Sequence, residues 1–133
     1  MTPIRILLIE DFEPFRRFLC SLLAQRPNLK VVGEVSDGEQ GVLIADELKP
    51  DLILLDIGLP TLNGIATARQ IRKLAPGAKM IFVTQESSAD IVREALSAGG
   101  NGYVAKNKAA IDMITAVEEV LDGRQFVSSG FLS

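Results

Sequence analysis

The chain has 133 residues, 47% of them hydrophobic and 23% charged, which is the composition of one ordinary globular domain. Its net charge of −3 gives no basic surface for nucleic acid, and no apolar run suits a membrane span or a signal peptide. Cys20 is the only cysteine and histidine is absent, which excludes an intrachain disulfide, histidine metal ligands and histidine-based triads, and favours a reducing, cytoplasmic location.

Short apolar runs alternate with helical patterns along the chain. The runs predict five strands, over residues 4–9, 29–35, 52–55, 79–83 and 102–105. Apolar residues at helical spacing predict a helix after each strand, over about residues 13–26, 36–49, 65–75, 88–98 and 109–121. Asp11 or Glu13 is the expected cap of the first helix, and Ser36 opens a capping box for the second. Ser87 or Ser88 is expected to start the fourth helix.

Five strand–helix alternations require parallel strands with helices on both faces of the sheet. Strands one, three and four are nearly continuous apolar runs, which are typical of central strands. Strands two and five are shorter or interrupted by charge, which is typical of edges. The sequence therefore predicts an α/β, flavodoxin-like, doubly wound sheet of five parallel strands in the order 2-1-3-4-5, with its ligand crevice at the carboxyl ends of strands one and three.

Polar residues follow the predicted strands at that edge. Glu10 and Asp11 end strand one and Asp56 ends strand three, so three carboxylates meet and require a cation. Their hard oxygen atoms suit Mg²⁺ better than zinc or copper. Thr84 and Lys106 end strands four and five, and a hydroxyl with an ammonium group is what a transferred phosphoryl group requires.

Each of these residues also has an ordinary structural explanation. Asp11 and Asp56 are typical helix-cap and turn residues. Thr84 is typical of a strand, Lys106 of a solvated surface and Tyr103 of an edge strand. Only their joint position at the strand ends favours a phosphoryl-binding site.

These motifs resemble those of the response-regulator receiver domain, the phospho-accepting part of bacterial two-component signalling. The matching features are Glu10-Asp11, the loop Asp56-Ile-Gly-Leu-Pro60-x-x-x-Gly64, Thr84, and Gly102-Tyr103-Val-Ala-Lys106. The similarity runs from about Ile4 to Leu121, and the CheY-like fold of the family is the one predicted above. Residues 94–103 are most similar to the subfamily with a C-terminal LuxR/NarL-type helix-turn-helix output domain.

The resemblance implies that Asp56 is the phosphorylation site and that Glu10, Asp11, Asp56 and the backbone carbonyl of Gly58 bind Mg²⁺. In such chemistry a carboxylate oxygen attacks phosphorus and gives an aspartyl phosphate. Because the chain has no histidine, the phosphoryl group must come from another molecule, which the family implies is a sensor histidine kinase. The chain would then be no enzyme in the usual sense, since it catalyses only its own phosphorylation and dephosphorylation.

The resemblance also implies that Thr84 and Lys106 contact the phosphoryl group. Tyr103 would follow Thr84 and change the surface of helix four, strand five and helix five, as a two-state switch. The expected result is control of transcription, with a possible homodimer, DNA contacts only through an output domain, and no membrane partner.

Two other classes are compatible with parts of this pattern. A haloacid-dehalogenase-like phosphatase also uses Asp, Thr and Lys, but it needs a second acid two residues after the nucleophile, where this chain has Gly58. The second class is a receiver-like interaction module that works without phosphorylation and retains only the fold of the family. A flavodoxin is less compatible, because an acidic first loop repels the flavin phosphate.

The C-terminal residues divide the chain into a receiver domain over 1–121 and a tail over 122–133. The tail combines turn residues with the large apolar residues Phe126, Val127, Phe131 and Leu132, which is unusual for a free end. We expect it to be a linker toward a missing C-terminal output domain, so that this chain alone binds no specific DNA. The alternative is that the tail folds back on the fifth helix.

Overall fold

The computed structural model describes residues 2–86 and 88–129. The strands are β1 Ile4–Ile9, β2 Leu29–Val35, β3 Leu52–Leu55, β4 Lys79–Thr84, β5 Gly102–Ala105 and β6 Phe126–Val127. The helices are α1 Glu13–Leu23, α2 Gly38–Leu48, α3 Gly64–Leu74, α4 Ala89–Ser97 and α5 Ala109–Leu121. A short 3-10 turn over Lys106–Lys108 joins β5 to α5.

All pairings in the described sheet are parallel, and the strand order is β2-β1-β3-β4-β5-β6. The flavodoxin-like order of the first five strands is confirmed, but the predicted count of five is wrong. Gly102 and Tyr103 pair with Phe126 and Val127, so β5 lies inside the sheet rather than at its edge. The chain reverses after α5 at Gly123, whose φ of 89° suits glycine, and two apolar residues then cover the open edge of β5.

The core lies in two layers, one on each face of the sheet. Alternate residues of the central strands face opposite layers, as the pleat of a strand requires. Leu7 and Ile9 of β1 belong to the layer covered by α2, α3 and α4. Ile6 and Leu8 belong to the layer covered by α1 and α5. Burial on both faces explains why these strands are uninterrupted apolar runs.

The start of α1 differs from the prediction that Asp11 or Glu13 caps it. The N-cap is Phe12, whose side chain makes no capping hydrogen bond. The backbone N–H of Phe12 donates instead to Oε2 of Glu10, at 2.9 Å. The residues before α1 are therefore organised around the Glu10 carboxylate rather than around a helix cap.

The second helix also begins one residue later than the capping-box pattern indicated. Asp37, not Ser36, is its N-cap, and the Asp37 carboxylate accepts from the N–H of Gln40 at 2.8 Å. The predicted cap of α4 by Ser88 is confirmed, while the alternative cap, Ser87, lies outside the described residues. None of the described helices combines the length and apolar character that crossing a membrane requires.

Candidate functional site

Four of the predicted site residues meet at one edge of the sheet. Glu10 directly follows β1 and Asp56 directly follows β3, and the two strands are in register at Ile9 and Leu55. Thr84 is the last residue of β4, and Lys106 directly follows β5. Because the strands are parallel, their carboxyl ends bring these side chains together.

Three carboxylates form a compact cluster there. One oxygen from each of Glu10, Asp11 and Asp56 lies within 4.8 Å of the others. Glu10 and Asp56 are buried, with 3% and 8% exposure, whereas Asp11 is exposed. Like charges at this distance repel each other, so the cluster requires a cation. An all-oxygen donor set with one side open to solvent fits Mg²⁺, which binds one or two carboxylates and keeps several waters.

The ammonium group of Lys106 bridges the two buried acids. Its Nζ lies 2.8 Å from Oε1 of Glu10 and 2.9 Å from Oδ2 of Asp56. Burial acts to lower the pKa of Lys106, but its hydrogen bonds to both carboxylates outweigh burial and the pKa is raised. The lysine therefore remains charged, and its charge is directed at the acid that ends β3.

Glu10 is held by contacts beyond the lysine. Burial raises the pKa of Glu10, while the hydrogen bonds from Lys106 and from the Phe12 N–H act in the opposite direction. The backbone carbonyl of Glu10 accepts from the Arg16 guanidinium at 2.8 Å, and Arg16 also pairs with Glu34 at 3.2 Å. Arg16 was not predicted as a site residue. It fixes the backbone of the acidic pair rather than its carboxylates.

Asp56 has a defined orientation and an open approach. Its Oδ1 accepts from the N–H of Ile57 at 2.7 Å, while Oδ2 faces Lys106. A Cβ added to Gly64 would lie 1.9 Å from the Asp56 carbonyl oxygen, so only glycine lets the loop after β3 close against this residue. A Cβ at Gly58 would meet nothing within 4 Å, which leaves the neighbouring space open.

Thr84 and Tyr103 are connected through the backbone of Glu86. The Glu86 N–H donates to Oγ1 of Thr84 at 3.3 Å, and the Tyr103 hydroxyl donates to the Glu86 carbonyl at 2.8 Å. The Tyr103 ring is fully buried and lies 6.2 Å from the ring of Phe82. Burial, with the charges of Glu86 and Asp56, raises the pKa of Tyr103 well above its usual range. The Tyr103 ring is therefore a core residue, whereas the ordinary explanation from the sequence was an aromatic residue on an edge strand.

An open cavity of about 1040 Å³ lies above these residues. Phe15 of α1 lines this cavity, although the sequence pattern did not identify it as a site residue. Its ring centroid is 4.8 Å from Nζ of Lys106. A cation at that distance from a ring is stabilised by the ring quadrupole. The spacing of apolar residues predicts a helix over about residues 13–26, but not which of its side chains face the cavity. The cavity is lined by Asp11, Phe12, Phe15, Asp56, Thr84, Gln85, Ala105, Lys106, Asn107, Lys108 and Ser129.

Comparison with known proteins gives consistent matches. A family model described as the response regulator receiver domain matches residues 6–118. The nitrate/nitrite response regulator protein NarL of Escherichia coli (strain K12) is 34% identical over 95% of this chain, which spans 58% of that protein. The transcriptional regulatory protein LiaR of Bacillus subtilis (strain 168) is 35% identical over 95% of this chain, which spans 60% of that protein.

A solved structure gives the same match in three dimensions. It is a two-component response regulator of the LuxR family from Aurantimonas sp. SI85-9A1, with a TM-score of 0.91 at 29% identity. The superposition covers 98% of this chain and 93% of that chain. The similarity therefore includes the β5–α5 side of the fold as well as the central strands.

Proposed function

The chain belongs to the response regulator receiver domain family, and we propose that Asp56 is the residue through which it accepts a phosphoryl group. One observation carries this proposal: the Lys106 ammonium bridges Glu10 and Asp56 at the floor of an open cavity. In this pair Asp56 supplies a nucleophilic carboxylate, and the half-buried Lys106 supplies a positive charge beside it. This is the arrangement that phosphoryl transfer requires.

The reaction follows from the positions of three side chains. A carboxylate oxygen of Asp56 forms a bond to phosphorus as the bond between phosphorus and the donor's leaving group breaks. Lys106 offsets the negative charge on the phosphoryl oxygens, which is the main requirement of a metaphosphate-like transition state. Thr84 accepts from the Glu86 N–H, so its own hydroxyl hydrogen remains available to a phosphoryl oxygen.

The acidic cluster would hold Mg²⁺ through Glu10, Asp11 and Asp56, with the backbone carbonyl of Gly58 as a further ligand. The donor chemistry supports this, because three carboxylate oxygens lie together and one acid is exposed to water. When bound, the ion supplies positive charge that neutralises oxygens of the incoming phosphoryl group. The ion pairs of Lys106 are with Glu10 and Asp56, so the charge of Asp11 depends most on the metal for neutralisation.

Replacing Asp11 with Asn should therefore weaken Mg²⁺ binding about tenfold, since one carboxylate charge is lost from the cluster. Titration calorimetry on the unphosphorylated chain measures this directly. Asp90→Asn is the matched control, because Asp90 lies on α4, is 90% exposed and pairs with Arg93 on the same helix. An Asp11→Asn variant with the Mg²⁺ affinity of the wild type would exclude the proposed metal site.

We further propose that Thr84 transmits phosphorylation to Tyr103. The two hydroxyls share the backbone of Glu86, so any movement of Thr84 toward a phosphoryl group displaces the acceptor of the Tyr103 hydroxyl. Tyr103 lies on β5 between α4 and α5. The surface that would change is therefore the one formed by α4, β5 and α5, where Phe126 and Val127 of β6 cover the edge of β5. The change is a local electrostatic event that shifts the balance between two packed states.

Thr84→Ala should leave phosphorylation measurable while removing the response of Tyr103. Beryllofluoride, an analogue of the phosphoryl group, can be added to isotope-labelled protein and the Tyr103 ring and amide signals followed by NMR. Thr84→Ser keeps the hydroxyl and should behave like the wild type. Equal shifts of Tyr103 in the alanine variant and the wild type would contradict the coupling.

The proposed phosphoryl donor and output domain are inferred from the absence of histidine in the chain and from the names of its relatives. With no histidine, it needs an external donor, which we propose is a sensor histidine kinase. The chain spans 58% of NarL and 60% of LiaR, which is named a transcriptional regulatory protein. We propose that this receiver, as a monomer or homodimer in the cytoplasm, controls transcription through an output domain that follows residues 122–133.

A further inference from the structure

Ser128, which follows β6, is a buried polar residue with 2% exposure. Its hydroxyl donates to Oδ2 of Asp112 on α5, at 2.7 Å, and accepts from the N–H of Ala105, at 3.2 Å. Its own backbone N–H donates to the Tyr103 carbonyl at 2.9 Å. One serine in the predicted linker thus joins β5, β6 and α5.

These hydrogen bonds surround the turn that carries Lys106. Ala105 is the residue directly before Lys106. On the other side of Lys106, Nζ of Lys108 donates to both the carbonyl and the hydroxyl oxygen of Ser129, at 2.8 Å each. The turn over Lys106–Lys108 is therefore attached at both ends to residues 128–129. Only one of its anchors, Ser128, is buried.

The Ser128 hydroxyl is the hydrogen-bond acceptor of the buried Ala105 N–H. Ala105 is the last residue of β5, and β6 ends at Val127, so the strand ladder supplies no carbonyl opposite Ala105. A backbone N–H buried without a partner costs free energy comparable to a lost hydrogen bond. The Ser128 hydroxyl replaces the missing carbonyl, and Asp112 fixes the orientation of that hydroxyl by accepting its hydrogen.

We propose that Ser128 is a positioning residue for phosphoryl transfer. Its hydroxyl, oriented by Asp112, holds Lys106 in place through the Ala105 backbone. This inference rests on the proposed role of Lys106 at Asp56. Its physical basis is that displacement of a transition-state contact by about 1 Å can slow a reaction up to about 100-fold. A merely structural role for Ser128 would change stability without changing the reaction.

The test compares Ser128→Ala with Ser97→Ala in the full chain. The Ser97 hydroxyl is exposed and donates to the Glu94 carbonyl within α4, so its loss should leave the phosphorylation rate unchanged. We expect Ser128→Ala to lower the maximal rate of phosphorylation by acetyl phosphate about tenfold, with little change in KM. Hydrogen exchange of the Ala105 amide should become at least tenfold faster, and this readout does not depend on phosphorylation.

Asp112→Ala is the second variant, because it removes the acceptor of the Ser128 hydroxyl from the helix side and leaves β6 unchanged. It should reproduce the slower rate, and the double variant should be no slower than Ser128→Ala alone, because the two residues act as a unit. Wild-type rates in folded Ser128→Ala or in Asp112→Ala would overturn the positioning role. Failure of the wild type itself to become phosphorylated would instead overturn the proposed function of Asp56.

Discussion

Asp56→Asn is expected to abolish phosphorylation while leaving the fold intact. The amide keeps the shape of the carboxylate and an oxygen that can accept from the Ile57 N–H, a bond of 2.7 Å in the structure. It provides no nucleophilic oxygen, however, so the rate should fall at least about 1000-fold, to the limit of detection. Transfer of radiolabelled phosphoryl groups from acetyl phosphate measures this rate.

Asp51→Asn is the matched control for this substitution. Asp51 and Asp56 flank the same strand, β3, at opposite ends, and the Asp51 carboxylate accepts from the backbone N–H of Arg5 at 2.8 Å. The control should be phosphorylated at the wild-type rate. If Asp56→Asn gained a phosphoryl group as fast as Asp51→Asn, another residue would have to be the acceptor. If neither variant nor the wild type gained one, the chain would be an interaction module.

The second large effect is expected for Lys106→Met. Loss of the ammonium removes the charge that neutralises the phosphoryl oxygens, and phosphorylation should slow about 100-fold. Lys106 is 14% exposed and bridges Glu10 and Asp56, so its removal also leaves two facing acids without a cation. We expect the free energy of unfolding to fall by about 2 kcal/mol, less than for a fully enclosed ion pair.

This loss of stability has a defined dependence on pH. Burial raises the pKa of Glu10 in the folded protein, so Glu10 contributes stability below its unfolded pKa and loses that contribution as pH rises through the folded pKa. Removing Lys106 takes away a hydrogen bond that lowers the pKa of Glu10, and thereby strengthens this effect. Urea unfolding at about pH 5 and about pH 8 should show the larger deficit at the higher pH.

Lys73→Met is the control, because Lys73 is exposed in the last turn of α3. It should alter neither the phosphorylation rate nor the pH dependence of unfolding. A Lys106→Met variant that behaves like this control would show that the bridge between Glu10 and Asp56 contributes to neither chemistry nor stability.

Most of the fold could be predicted because its signals are local. The apolar runs predict β1 over residues 4–9 and β3 over residues 52–55 with the observed bounds. The sixth strand was missed because it has only two residues, Phe126 and Val127, and depends on pairing with β5. The sequence shows that Phe126 and Val127 are apolar, but it does not show that they pair with β5.

The candidate site could be predicted as far as topology determines it. Parallel strands must bring their carboxyl ends together, and so Glu10, Asp56 and Lys106 were expected to be neighbours. The contacts of Phe15 with Lys106 and of Ser128 with Ala105 depend on how α1 is rotated and where the tail docks. Both features are set by tertiary packing, which the spacing of residues along the sequence does not determine.

The most direct test of phosphoryl acceptance is the intact mass of the wild-type chain after incubation with acetyl phosphate, in Mg²⁺ and in excess chelator. We expect a gain of one phosphoryl group in Mg²⁺, little or none in chelator, and loss of that group on treatment with hydroxylamine, which cleaves acyl phosphates. Absence of the gain in Mg²⁺, or a gain that survives hydroxylamine, would contradict an aspartyl phosphate at Asp56.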